Sequence, residues 1–299
     1  MRAIVTGGAG FIGSHLVDRL LEYNHKVIVV DDLSEGNLEN LPIKNPHLEF
    51  HKVSILDNID LLFKKVDVVF HLAALTRPQQ SIEEPKKFNR VNIEGTLNVL
   101  IHSKDYNVKR VVFMSSSSLY GTQKFFPTTE DDNPSPLSPY ALHKLMGEQY
   151  CKLFEVVYGL QFNAIRPFNV FGERQNPRGG YAAAIPKFID MIEKGEQPYI
   201  TGDGEQTRDF IHVDDVIDLL VLAAHSEVHG KSFNAGSETN ISINDLYDKV
   251  CELMEKDIKA KHIDAVLEPR VTLSDMTRAK ELLGWKSKVS LEEGLKRLL

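Results

Sequence analysis

Tyr140 and Lys144 stand four residues apart, directly behind Ser138-Pro139. In a helix that spacing puts a phenol and an ammonium on one face. Proline suits the first helical position, where its missing N–H loses no partner, and Ser138 is then placed to cap the first turn. A free phenol titrates near 10, too high for a base at neutral pH. A neighbouring ammonium favours the phenolate and lowers that value. The pair is therefore suited to moving a proton, although a solvated helix face offers the same spacing by chance. Ser115-Ser116-Ser117-Ser118, straight after the apolar run Arg110–Met114, adds hydroxyls at a strand end. What these groups do depends on the elements that carry them.

Arg2-Ala3-Ile4-Val5-Thr6 reads as a strand running into Gly7-Gly8-Ala9-Gly10-Phe11-Ile12-Gly13. A helix follows, with Ile12, Leu16, Leu20 and Leu21 on one face. Val27–Val30 is a continuous β-branched strand ending at Asp31. Strand, glycines, helix, strand and acid in this order form a dinucleotide-binding unit. Gly7 permits the tight turn, Gly10 admits a pyrophosphate to the backbone, and Gly13 lets helix and strand pack closely. The helix N-terminus faces the phosphates, and Asp31 is placed to accept from the adenosine ribose. Asp31 and Asp32 would repel a 2′-phosphate, so NAD is expected rather than NADP.

The pattern repeats. A strand at Val66–Phe70 ends in His71-Leu72-Ala73-Ala74, where small residues leave room across the sheet edge. A helix over 85–103 and the strand Arg110–Met114 follow. The expected fold is α/β, a doubly wound parallel sheet of Rossmann type, with ligands beyond the carboxyl ends of its strands. A proline-rich loop returns the chain to a helix over 139–158 with Gly159 as its C-cap, and then to the strand Phe162–Arg166. After Pro167 the loops become polar and glycine-rich. The expected boundary divides a dinucleotide-binding domain, 1–167, from a smaller α/β substrate domain, 168–299, with a segment around 208–234 able to return to the first. Further helices are expected over 181–194, 213–225, 243–255 and 291–298.

Composition narrows the choice of partner. The 299 residues are 42% hydrophobic and 26% charged, with a net charge of −7. That balance gives no support to nucleic-acid or anionic-membrane binding. Cys151 and Cys251, within helical patterns, read as buried free thiols, with neither a disulfide nor a metal site. No targeting segment and no apolar run near 18 residues is present, so the expected location is the cytoplasm.

Together these motifs resemble the extended short-chain dehydrogenase/reductases, and among them the NAD-dependent sugar-nucleotide epimerases. The resemblance rests on Thr6–Gly13, on Ser115-Ser116-Ser117-Ser118-Leu119-Tyr120-Gly121, and on Tyr140 with Lys144. It continues through Arg166-Pro167-Phe168-Asn169-Val170-Phe171-Gly172, Arg208-Asp209-Phe210-Ile211-His212-Val213-Asp214-Asp215 and Leu283-Gly284-Trp285. It implies Ser116 as the catalytic hydroxyl, Tyr140 as acid/base and Lys144 as the residue that holds the ribose and lowers the phenol's pKa. On the NAD side it adds Phe11, Ile12, Ser54, Ile55, Asn92 and Pro167 to the glycines, Asp31, Asp32 and the Leu72–Ala74 edge. On the side of a UDP-sugar it implies Ser117, Asn169 and Arg208 at the diphosphate and sugar. It also implies Ala184 and Thr201, with Glu268, Arg270 and Thr272 further on. The run 178–185 resembles the flap over the base. A homodimer through the 85–103 and 139–158 helices is implied as well.

Three departures stand out. Ala265 occupies the place of an arginine three residues before the acid, leaving Arg270 or Lys261 to compensate. Ser54 stands where an aspartate meets the adenine amine, and Glu173 replaces a proline. Related dehydratases carry Asp-Glu after the catalytic hydroxyl, and decarboxylases use a glutamate nearby. Ser117-Ser118 here disfavours both, and a uronate epimerase is a further alternative within the same family. A non-catalytic NAD-binding regulator would be expected to lose Tyr140 or Lys144, and this chain has both. The expected activity is 4-epimerisation of UDP-Glc and UDP-Gal, and of UDP-GlcNAc and UDP-GalNAc because Thr272 replaces a pocket-closing tyrosine.

Overall fold

The computed structural model describes residues 1–177 and 183–299. Short runs rich in β-branched and aromatic residues give the strands Arg2–Thr6 (β1), Lys26–Asp31 (β2), Leu48–Lys52 (β3), Val68–His71 (β4), Arg110–Met114 (β5) and Gln161–Pro167 (β6). Later in the chain come Asn169–Phe171 (β7), Tyr199–Thr201 (β8), Thr207–Arg208 (β9), Phe210–His212 (β10), Lys231–Ala235 (β11), Ile241–Ser242 (β12) and Lys261–Ile263 (β13). The helices are Phe11–Glu22 (α1), Pro78–Glu83 (α2), Pro85–Asn89 (α3), Thr96–Asp105 (α4), Pro139–Tyr158 (α5) and Ala184–Glu193 (α6). Val213–His225 (α7), Ile243–Leu253 (α8), Thr277–Leu283 (α9) and Leu291–Leu298 (α10) complete the set.

Seven strands form one parallel sheet in the order β3-β2-β1-β4-β5-β6-β11. This is the doubly wound Rossmann-type fold. The order reverses between β1 and β4, the place where such sheets open a crevice for ligands. Apolar layers cover both faces. Val5, Leu16, Val29, Leu219 and Phe233 pack on one side, and Ile4, Val69, Leu100, Phe113 and Phe154 on the other. A third core around Phe188, Leu246 and Val250 belongs to a smaller lobe built on α6, α8 and α10. The chain returns from that lobe at Val213: α7 packs against α1, β5 and β6, and β11 pairs with β6. Among the described residues no helix is long and apolar enough to cross a membrane. Cys151 and Cys251 are buried and free.

Helix α5 starts and stops where its sequence dictates. Ser138 Oγ accepts from the Ala141 amide at 3.2 Å, Pro139 opens the first turn, and Gly159 ends the helix at φ +72°. Its inner face carries Tyr140, Lys144, Gly147, Glu148, Cys151 and Phe154. Glycine at 147 lets the helix lie close to β5, since a β-carbon there would stand 2.4 Å from the Phe113 ring.

The single helix expected over 85–103 is instead α3 and α4 joined by a π-helical turn over Arg90–Gly95. Here Asn92 turns inward to bond Leu75 through both N and O, and the Thr96 hydroxyl donates to the Asn92 carbonyl at 2.7 Å. Periodicity alone misses α2, α9 and the two- and three-residue strands of the smaller lobe. They are too short to show a period.

Buried charge ties α5 to the sheet. Arg166 of β6 meets Glu148 through two hydrogen bonds, at 2.9 and 2.7 Å, and also donates to Tyr120 OH and Glu130 O. Ser232 completes the Glu148 oxygen at 2.9 Å. Removing one partner leaves a buried charge uncompensated, whereas replacing both with apolar groups can be near neutral. Arg166→Met is therefore expected to cost about 3–5 kcal/mol in denaturant unfolding, and Arg166→Met with Glu148→Leu to recover most of that loss.

Candidate active site

A cavity of about 1400 Å³ runs from the β1–α1 turn, across the ends of β4 and β5, to the smaller lobe. At one end the glycines build a tight cradle. Gly7 has φ +71°, and a β-carbon there would stand 2.7 Å from Ala73 N; one on Gly13 would stand 2.1 Å from Gly7 O. Gly10 precedes α1 with no side-chain cap, so the first-turn amides face the cavity. Asp31 holds the turn from below, accepting from Ala9 N and Leu33 N at 2.9 Å each. Burial raises its carboxyl above the ordinary value, while the Leu33 and Ala9 amides pull it back. Two of its roughly four acceptor sites are thereby used, which leaves capacity for ribose hydroxyls.

The edge Leu72–Ala74 is set by a buried chain: Thr6 Oγ1 contacts His71 Nδ1 at 2.7 Å, His71 Nε2 contacts Thr96 Oγ1 at 2.9 Å, and Ala73 N donates to Thr6 Oγ1. Burial, with Lys144 adding to it, pushes His71 down to about 3, so the ring is neutral. Phe11, Ile12, Asp32, Ser54, Ile55 and Pro167 also line the cavity. The Ser115 hydroxyl is buried at its wall without a protein partner among the described residues. Cradle, acid and unpartnered hydroxyl fit a dinucleotide.

Ser116, Ser117, Tyr140 and Lys144 meet at the cavity's middle. Ser116 caps a 3-10 turn over Ser117–Tyr120, its Oγ accepting from Ser118 N at 3.1 Å and Ser118 Oγ at 2.9 Å. The Tyr140 amide donates to Ser81 Oγ at 3.0 Å, so α2 helps to fix the helix start. Lys144 Nζ donates to the Met114 carbonyl at 2.6 Å and stands 5.8 Å from the Tyr140 ring centroid. Here the structure differs from the expectation of a lowered phenol. Burial raises Tyr140 above its ordinary value, with the Ser116 side chain opposing. Burial also brings Lys144 down to about 8, Glu148 opposing. The lysine's charge is directed to Met114, and desolvation governs the phenol.

At the far end Asn169, Ala184, Thr201, Arg208, Glu268 and Thr272 line the wall. Arg208 pairs with Glu268 at 2.6 Å and donates to Thr207 O. Asn169 Nδ2 is held by Asp209 O at 2.8 Å and Thr272 Oγ1 at 3.4 Å, and Thr272 Oγ1 also accepts from Asp209 N. Two residues expected in the site lie elsewhere. Arg270 is 58% exposed and forms a bidentate pair with Asp203, outside the cavity wall. Asn92 spends its amide on Leu75, behind the wall. Lys261 is exposed on β13 and Ala265 packs beside Gly202, so neither lines the cavity. Of the expected flap, residues 178–182 lie outside the described residues. Ser81 and Lys187 were not legible as site residues: nothing in the sequence separates them from ordinary helix-surface positions.

The description "NAD dependent epimerase/dehydratase family" matches residues 3–236. The chain belongs to that family. It is 39% identical to UDP-glucose 4-epimerase from Mycolicibacterium smegmatis over 99% of this chain and 96% of that one. It is 33% identical to a UDP-N-acetyl-alpha-D-glucosaminuronate decarboxylase from Bacillus cytotoxicus over 100% and 96%. A solved UDP-N-acetylglucosamine 4-epimerase from Methanobrevibacter ruminantium, in complex with UDP-N-acetylmuramic acid, superposes with a TM-score of 0.96 at 39% identity, covering 99% and 96%. This family member is therefore a UDP-sugar epimerase/dehydratase-type enzyme, and its cofactor is NAD.

Lys144 carries its charge below a pKa of about 8 and loses it above. If that charge supports the reaction, kcat/KM measured against pH should fall as pH rises through about 8. In Lys144→Arg, whose guanidinium does not deprotonate in this range, residual activity should show no such fall.

Proposed function

We propose that this enzyme inverts C4 of a UDP-sugar, interconverting UDP-Glc with UDP-Gal and also UDP-GlcNAc with UDP-GalNAc. The observation that carries the reading is the grouping of a half-buried Ser116 with the buried Tyr140 and Lys144 beyond the end of β5, inside a cavity whose other end holds Asn169, Arg208 and Thr272. Bound NAD supplies a hydride acceptor and donor at C4, by way of a transient 4-keto sugar. Tyr140 takes the proton of the 4-hydroxyl and returns it, and Ser116 steadies that oxygen. Bringing a phenol from about 10 to near 7 is worth roughly 4 kcal/mol. The burial of Tyr140 adds to that demand, so the phenolate depends on nearby cations: the Lys144 ammonium and the positive charge of oxidised NAD. The water-poor setting that raises the phenol also strengthens those attractions.

Of the alternatives, dehydration, decarboxylation and uronate epimerisation, the first two are less well supported. Each of the first two asks for a carboxyl beside the catalytic hydroxyl, and the side chains there are Ser117 and Ser118, with Ser118 Oγ donating to Ser116. A homodimer through α5 is part of this reading. Leu142, Leu153, Val156 and Val157 are exposed along that helix, which supports burial against a second copy.

Tolerance of an N-acetyl group is supported by the small side chain at 272. The Thr272 hydroxyl is held by Asp209 N and Asn169 Nδ2 while the residue lines the cavity. A relative of 39% identity accommodates a still larger N-acetylated sugar in its solved complex. Thr272→Tyr should suppress turnover of UDP-GlcNAc while sparing UDP-Glc, because steric exclusion acts on only one of them. Steady-state kinetics with both sugars check this. Equal losses on both, or none, would place residue 272 away from C2.

A further inference from the structure

Among the described residues, five cationic side chains line the cavity: Arg77, Lys144, Arg174, Lys187 and Arg208. Four of them have evident partners. Arg77 pairs with Glu35 at 3.3 Å, Arg174 with Asp18 at 2.7 Å and Arg208 with Glu268 at 2.6 Å. Lys144 donates to Met114 O. Lys187, in the first turn of α6, has no carboxylate within ion-pair reach among the described residues. Its ammonium lies over aromatic faces instead, 4.1 Å from the Tyr199 ring centroid and 5.2 Å from that of Phe188.

Glu268 is the acid whose charge is felt at Lys187. Both of its oxygens are already engaged, Oε2 by Arg208 and Oε1 by Gln206 at 3.4 Å. Burial lowers the pKa of Lys187, with Glu268 opposing. A partly desolvated ammonium that faces a cavity without its own counter-ion is stabilised when a ligand brings an anion. The charge count points the same way. Arg208 and Glu268 together carry no net charge, and Ala265, Lys261 and Arg270 add none to this wall. Among the described residues of this wall, Lys187 supplies the positive charge in excess of the Arg208–Glu268 pair.

We propose that Lys187 binds the diphosphate of the UDP-sugar together with Arg208, supplying the cation that position 265 lacks. This rests on the reading of the substrate as a UDP-sugar, and not on which carbon is inverted. Sequence spacing hides the role, because Lys187 sits among ordinary helix formers.

Binding of UDP and of uridine to the NAD-loaded protein, measured by calorimetry or competition, tests the assignment without calling on turnover. Lys187→Met keeps the stem that covers Tyr199 and removes the charge. It should weaken UDP by about tenfold to a hundredfold, the range of a charge-assisted hydrogen bond, and leave uridine within about twofold. Lys187→Arg should keep UDP within about threefold of wild type. An unchanged thermal unfolding profile identifies a folded variant. Should Lys187→Met not fold, a UDP affinity in Lys187→Arg equal to wild type supports the assignment, and a tenfold loss there overturns it. UDP binding unaffected by Lys187→Met, or UDP and uridine weakened alike, would overturn the assignment while leaving the substrate reading intact. No UDP binding by the wild type would overturn both.

Discussion

The buried Lys144 ammonium, donating to the carbonyl of Met114, ties the helix that carries Tyr140 to the end of the strand that delivers Ser116. Much else is arranged around that bond. Gly147 lets α5 approach Phe113, the Arg166–Glu148 pair clamps the next turn of the helix to β6, and Ser81 holds the amide of Tyr140. The same burial that fixes the geometry sets the electrostatic problem. It raises the phenol and lowers the ammonium, so the site at rest favours a neutral tyrosine. In the proposed reaction, proton transfer would then depend on charge that arrives with the cofactor and on a lysine kept close enough to add its own.

A long cavity with two differently built ends follows from the fold. At the sheet, backbone does the work: glycines, helix amides and a carboxylate already anchored by Ala9 and Leu33. On the smaller lobe, side chains do it, through Arg208, Glu268 and the Asn169–Thr272 contact. The return of α7 and β11 to the sheet makes the two walls continuous, because β7 and β10 pair just beyond β6 and place Asn169 beside Asp209.

Most of the first half was legible in the sequence because its signals are local. β-branched runs, the glycine turn, the Ser138-Pro139 start and the Gly159 stop each report on a few neighbouring residues. The π-helical turn at Arg90–Gly95 was not legible, since it answers to a loop contact between Asn92 and Leu75. The resemblance implies Asn92 as a cofactor residue, and an amide in a helix does not announce which neighbour it will bond. Arg270 and Lys187 make the complementary case. A cation's role depends on which acid it finds, and Asp203 takes the first while no carboxylate among the described residues takes the second. The lowered phenol expected from Tyr-x-x-x-Lys spacing likewise missed the cost of burial, which no spacing encodes.

In the proposed function Ser116, Tyr140 and Lys144 together invert C4 of a UDP-sugar. The direct measurement is to incubate the purified, NAD-supplied protein separately with UDP-Glc, UDP-GlcNAc and UDP-GlcA and to resolve the sugar nucleotides formed. The account predicts UDP-Gal from the first and UDP-GalNAc from the second. Consumption of UDP-GlcA alone, with release of carbon dioxide or formation of its 4-epimer, would contradict it.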